Sequence, residues 1–106
     1  MNIKFSYLYR DGANYKQFNE VVFSNLTNLT LKEIEATFKE KLIDGQWFVA
    51  KDWKLLDMHF KKYTWDSKID HDWHEFEEVG ETSEDVTEEN NIEDFLLLVS
   101  KTKLPW

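Results

Sequence analysis

The chain has 106 residues, with 13 Lys and Arg against 21 Asp and Glu, which gives a formal net charge of −8. This length suits a single domain, and an aromatic content of 16% supplies enough apolar surface for a packed core. The absence of cysteine excludes disulfides, thiolate metal sites and a cysteine nucleophile. No apolar run approaches the roughly 20 residues of a membrane span, and the excess of acid opposes binding to membranes and nucleic acids. We therefore expect a cytoplasmic protein.

The acidity is concentrated in one third of the chain. Residues 66–94 contain 13 acidic residues and one basic residue, a net charge of −12, whereas residues 1–65 contain 10 basic and 8 acidic residues. We expect the first 65 residues to form a nearly neutral folded body. The acidic third would then offer a surface for a basic protein partner.

The N-terminal half predicts two strands followed by a helix. Residues 3–10 carry a large apolar or aromatic side chain at every second position from Ile3 to Tyr9, as in a strand with one buried face. Residues 18–24 predict a second strand after an Asp-Gly turn. A capping box at Thr30 starts a helix that is predicted over residues 31–43, and Gly45 is a suitable residue to end it.

The C-terminal half predicts two more strands and a second helix. A short strand is expected over residues 46–50 and another over residues 73–79, although the second alternates irregularly because Phe76 falls in register with a glutamate. The aromatic-rich residues 51–69 follow neither period. An acidic linker is predicted over residues 81–90. A final helix is indicated by apolar residues at helical spacing, Ile92, Phe95, Leu96 and Val99.

These elements predict one α+β domain over residues 1–106. The expected order is β-β-α-β-β-α, in a two-layer sandwich whose small, mainly antiparallel sheet carries both helices on one face.

The densest polar cluster, Asp66 to Glu75, holds carboxylates and imidazoles, which are ligands for zinc, manganese and iron. Asp70, His71 and His74 could meet around one ion, with His59 as a further candidate. The spacing weakens this hypothesis, since His71 and His74 point to opposite faces of a strand and no established metal motif is present. We favour the alternative, in which His74 is a half-buried strand residue and the aspartates form turns, so no metal or other cofactor is expected.

A second polar cluster lies at the tip of the first hairpin. Arg10, Asn14, Tyr15 and Lys16 could hold an anionic or planar ligand there. The favoured alternative is a turn in which Arg10 pairs with a nearby carboxylate. The five tryptophans are expected mainly in the core, although tryptophan is also common at binding hot spots. The predicted binding residues of the two clusters are Arg10, Asn14, Tyr15, Asp70, Trp73 and His74.

Several short stretches carry a resemblance to a known group of proteins. They are Tyr9-Arg10-Asp11 with Asn14-Tyr15-Lys16, Glu20-Val21-Val22-Phe23, Leu42-Ile43-Asp44-Gly45, and Asp70-His71 with Trp73-His74-Glu75-Phe76. In these stretches, and over most of residues 7–82, the chain resembles a group of small, uncharacterised bacterial proteins. The resemblance implies a bacterial cytoplasmic protein and assigns no active site.

The functional hypotheses differ in class. No nucleophile elbow, P-loop or dinucleotide-binding loop is present in the sequence, so we lean against an enzyme. The leading hypothesis is an interaction or accessory module that binds a basic protein through its acidic region. The main alternative is a small metal-dependent or hydrolytic enzyme that uses Asp70, His71 and His74, with Arg10 binding an anion. A third hypothesis treats the acidic surface as a nucleic-acid mimic. The chain is expected to be a monomer or a homodimer formed through a sheet edge.

Overall fold

A computed structural model describes residues 1–10, 15–56 and 73–102 of the chain. These residues form a four-stranded, curled antiparallel sheet and two α-helices, so the predicted α+β class is confirmed. In chain order the elements are β1 (Asn2–Arg10), β2 (Lys16–Phe23), α1 (Leu31–Lys41), β3 (Trp47–Val49), a 3-10 helix (Ala50–Trp53), β4 (Trp73–Thr82) and α2 (Ile92–Lys101). The strands lie in the order β2-β1-β4-β3.

Strand β1 lies inside the sheet, between β2 and β4, and its alternation defines the two faces. Its inner-face side chains, Ile3, Phe5, Tyr7 and Tyr9, are at most 1% exposed. Both helices pack against this inner face, since the ring of Phe5 lies 5.1 Å from that of Phe38 in α1 and 5.6 Å from that of Phe95 in α2. The core is therefore built on the face of the sheet that the alternating residues of β1 predict.

The core is unusually aromatic around Phe5. Six rings lie with their centroids 5.1–6.1 Å from that of Phe5, and they come from strands, both helices and the 3-10 helix: Tyr7, Phe38, Phe48, Trp53, Phe76 and Phe95. Trp53 also stacks on Phe48 at 4.4 Å. Residues 50–56 thus belong to the core at Ala50, Trp53 and Leu55, whereas residues 57–69 of the predicted irregular segment lie outside the described residues.

A β-bulge explains the irregular alternation of β4. Ser6 of β1 lies opposite Glu78, but the next residue, Tyr7, lies opposite Phe76, so Glu77 is an extra residue in β4. Before the bulge the even-numbered side chains of β4 face inwards, and after it the odd-numbered side chains do. Phe76 and Val79 consequently both pack against the core, although they are three residues apart.

Helix α1 begins where the capping box predicts. The Thr30 hydroxyl accepts a hydrogen bond from the Glu33 amide at 3.2 Å, and the Glu33 carboxylate accepts one from the Thr30 amide at 2.9 Å. The predicted end of the helix was wrong, because α1 stops at Lys41. Ile43 instead exchanges backbone hydrogen bonds with Trp47, and Gly45, with a φ of +70°, lies in the turn between them.

The acidic segment between β4 and α2 is attached to the sheet. Strand β4 extends to Thr82, so the segment is shorter than the predicted linker. The amide of Thr87 donates to the carbonyl of Val22 at 2.9 Å, and the amide of Val22 donates to the Thr87 hydroxyl at 2.8 Å. At the start of the segment, the Asn2 side chain donates to the Glu84 carbonyl at 2.9 Å. No helix among the described residues is long and apolar enough to cross a membrane.

Replacing Phe5 with alanine should strongly destabilise the fold, since it empties the centre of the aromatic core. We expect the free energy of unfolding to fall by about 3–5 kcal/mol. Urea denaturation followed by circular dichroism measures this change. Leu26→Ala is the control, because Leu26 is 76% exposed and its loss should change the free energy by about 0.5 kcal/mol or less. Equal effects of the two substitutions would contradict the assignment of Phe5 to the core centre.

Candidate functional site

The described parts of the two predicted polar clusters meet where β1 ends and β4 begins. The Nε atom of Arg10 lies 2.8 Å from Oε2 of Glu75, and its Nη2 atom lies 3.5 Å from Oε1. The two side chains are 38% and 19% exposed, so the pair is partly shielded from water. The favoured interpretation, in which Arg10 pairs with a nearby carboxylate, is therefore confirmed. Part of the guanidinium's hydrogen-bonding capacity is consequently used within the protein.

His74 lies on the opposite face of the sheet from Arg10. Its side chain is fully buried, with ring centroids 5.1 Å from Tyr9, 5.9 Å from Tyr7 and 6.0 Å from Phe48. The expectation of a half-buried histidine was therefore wrong, because the residue faces the helices and not the solvent. Since the sheet backbone separates the two faces, His74 and Arg10 do not line a common site.

Two tryptophans flank the Arg10–Glu75 pair on the outer face of the sheet. Trp47 lies opposite Glu75 in the β3–β4 register, and the ring of Trp73 lies 5.9 Å from that of Trp47. Both side chains are half-buried. We call Arg10, Trp47, Trp73 and Glu75 the outer-face cluster. Trp47 and Glu75 were not among the predicted binding residues, although the alternation of the strand beginning at Trp73 places Glu75 on the same face as Trp73.

The remaining predicted site residues are only partly described. Tyr15 is 67% exposed and comes directly before β2. Asn14, His59, Asp70 and His71 lie outside the described residues. Within the described ranges, no three His, Asp or Glu side chains gather as a metal site. The metal-site hypothesis thus stays a prediction, and its one described member, His74, points into the core.

The second candidate feature is a set of acidic side chains without basic neighbours in sequence. Residues 73–94 contain ten Asp and Glu residues and no Lys or Arg. Glu75 pairs with Arg10, and Glu84 pairs with Lys4. The other eight form no ion pair with any described residue, and all are exposed except Glu88, which is half-buried. We call these eight residues the acidic surface: Glu77, Glu78, Glu81, Asp85, Glu88, Glu89, Glu93 and Asp94.

Lys4 is the partner of Glu84, a carboxylate in the same acidic stretch of the chain, and its charge is already shared. Its ammonium group pairs with Glu84 and lies 3.0 Å from Glu20. The pKa of Lys4 is raised, mainly by its hydrogen bond to Glu84 and next by its hydrogen bond to Glu20. The pKa of Glu84 is lowered, mainly by the hydrogen bond from Lys4 and next by the one from Thr82. Lys4 therefore compensates the charges of Glu84 and Glu20, and it forms no ion pair with the acidic surface.

Comparisons of the chain with protein-family models, with curated proteins and with solved structures give no match.

The Arg10–Glu75 pair should contribute modestly to stability. A double-mutant cycle with Arg10→Met and Glu75→Gln should give a coupling energy of about 0.5–1 kcal/mol, because the pair is only partly shielded from water. Thermal and urea unfolding of the four proteins measure it. A coupling energy indistinguishable from zero would contradict a stabilising role for this pair.

The link between Lys4 and Glu84 should be visible in the titration of Glu84. The pKa of this carboxyl should lie below its ordinary value of 4.5 and rise towards it in Lys4→Met. Because the folded-state pKa is the lower one, the stabilisation is present above the unfolded pKa and is lost as the pH falls through the folded pKa. Carbon-detected NMR of the side-chain carboxyl measures the shift. Lys39→Met on α1 is the control and should leave the Glu84 titration unchanged.

Proposed function

We propose that this chain is a small bacterial cytoplasmic module that binds a basic protein partner through its acidic surface. The observation that carries the proposal is the set of eight carboxylates that have no ion-pair partner among the described residues. A stretch of chain with this excess of negative charge attracts a Lys- and Arg-rich surface.

The attachment of the acidic segment supports a binding role. Asn2 holds the segment at Glu84, and Val22 holds it at Thr87, in each case by hydrogen bonds. Where α2 begins, the Ile92 amide donates to the Ser24 carbonyl at 2.8 Å. A segment that is ordered before binding loses less conformational entropy when a partner docks. The carboxylates are therefore presented on a preorganised backbone.

The placement of the helices leaves room for such a partner. We propose that the helices and the curled sheet form the two layers that the sequence predicts, since both helices contact the inner face at Phe5. Glu78 lies opposite Ser6 on the outer face, away from the helices. A basic partner could then approach β4 and the acidic segment without displacing core elements.

Neutralising part of the acidic surface should weaken partner binding. The immobilised chain is used to capture proteins from a bacterial lysate, and the retained proteins are eluted with increasing sodium chloride. We expect a basic protein that is released as the salt concentration rises above about 0.1 M, where charges are screened beyond about 10 Å. Glu77→Gln, Glu78→Gln and Glu81→Gln in one variant should lower its affinity by about tenfold or more.

A matched variant controls for net charge. Glu35→Gln, Glu40→Gln and Asp52→Asn remove the same three charges from exposed positions on α1 and the 3-10 helix. This variant should bind the partner as the unmodified chain does. Binding that is insensitive to salt, or that is weakened equally by both variants, would contradict the proposal.

A further inference from the structure

The outer edge of β2 carries backbone groups that point away from the sheet. Strand β2 pairs with β1 without interruption from Lys16 to Phe23, so its residues alternate between groups that face β1 and groups that face outwards. Both backbone groups of Val22 bond to Thr87, which is not part of β1, so Val22 faces outwards. The same alternation turns the amides and carbonyls of Phe18 and Glu20 outwards.

Thr87 covers only one end of this edge. The outward backbone groups of Phe18 and Glu20 form no hydrogen bond with any residue in the described ranges. Three side chains that share one face of this stretch are accessible as well, with Phe18 59% exposed and Lys16 and Glu20 also exposed. The stretch from Lys16 to Glu20, which we call the open edge, is thus available for pairing with another strand.

The sequence of the open edge, Lys16-Gln17-Phe18-Asn19-Glu20, is complementary to itself when it runs antiparallel. A two-fold axis at Phe18 would place Lys16 directly opposite Glu20 of a second copy, and that carboxylate would then be shared between Lys16 and Lys4 of its own chain. Phe18 would face its own equivalent, and Gln17 would face Asn19. Opposite charges and aromatic rings in directly opposed positions stabilise an antiparallel pair.

The backbone direction agrees with this arrangement. The backbone amides and carbonyls of Lys16, Phe18 and Glu20 all face outwards. In the paired edges, Lys16 and Glu20 would therefore exchange backbone hydrogen bonds, and so would the two copies of Phe18. A shift of one residue would lose this match and would separate Lys16 from Glu20. The backbone and the side chains therefore select the same register.

We propose that the chain forms a symmetric homodimer in which the open edges of two copies pair antiparallel about an axis at Phe18. The two four-stranded sheets then join into one continuous sheet. The other sheet edge, β3, has only three residues and offers less backbone for pairing. This inference is independent of the acidic surface and its partner.

Charge exchange tests the proposed register. Sedimentation equilibrium over micromolar to millimolar concentrations should show the unmodified chain associating to about twice its monomer mass of 12.8 kDa. Lys16→Glu or Glu20→Lys alone opposes like charges at both ends of the interface and should raise the dimer dissociation constant by about tenfold or more. The double variant Lys16→Glu with Glu20→Lys restores the opposed pairs, although it loses the ion pair between Lys4 and Glu20 within each copy, and it should dimerise at least about threefold more tightly than Glu20→Lys alone.

Mixing the two single variants sharpens the test, because one then carries only acidic and the other only basic side chains at these positions. The mixture should form a heterodimer more tightly than either variant forms a homodimer. Lys39→Glu, an equal charge change on an exposed residue of α1, is the control and should leave dimerisation unchanged. Circular dichroism confirms that every variant is folded.

Either of two results would overturn the proposal. One is an unmodified chain that stays monomeric up to millimolar concentration. The other is a dimer whose dissociation constant does not respond to the charge variants, since that dimer would use another surface.

Discussion

The fold depends on β1 having a strand on each side. A strand with two neighbours satisfies the hydrogen bonds of its backbone on both edges, and its alternation then determines which side chains of β2 and β4 can face the helices. Phe5 lies at the middle of this arrangement, within ring contact of both helices and the 3-10 helix. The polar features lie outside the core that β1 organises, on the outer face, at the far ends of the strands and in the segment beyond β4.

The bulge at Glu77 shows how the sheet accommodates a sequence that does not alternate. Without the extra residue, the alternation that carries Phe76 to the inner face would carry Glu78 there as well and would turn Val79 towards the solvent. A buried carboxylate without a partner is far more costly than one locally disrupted ladder. The insertion therefore keeps apolar residues at the core on both sides of the irregularity, and it leaves Glu77 and Glu78 exposed.

Local patterns predicted those elements whose ends are determined by their own side chains. The start of α1 follows from Thr30 and Glu33, and α2 follows from its apolar spacing. The end of α1 was not predictable in this way, because Ile43 bonds to Trp47 rather than continuing the helix. The pairing of Arg10 with Glu75 joins residues far apart in the chain, and only the strand order brings them together. The sequence identified Arg10 as one partner in a pair, but it could not identify Glu75 or show that His74 turns to the opposite face.

The bonds between Thr87 and Val22 have a consequence for solubility. An edge strand with unpaired backbone groups is a template for uncontrolled sheet growth, and long, flat, apolar edges are the most hazardous. Thr87 closes β2 where it is most apolar, at Val21, Val22 and Phe23, and leaves open the stretch in which Phe18 is flanked by charged and amide side chains. The acidic segment thus prevents the apolar end of β2 from pairing with another strand. Its local detachment would lengthen the open edge by its most apolar residues and make it prone to aggregation.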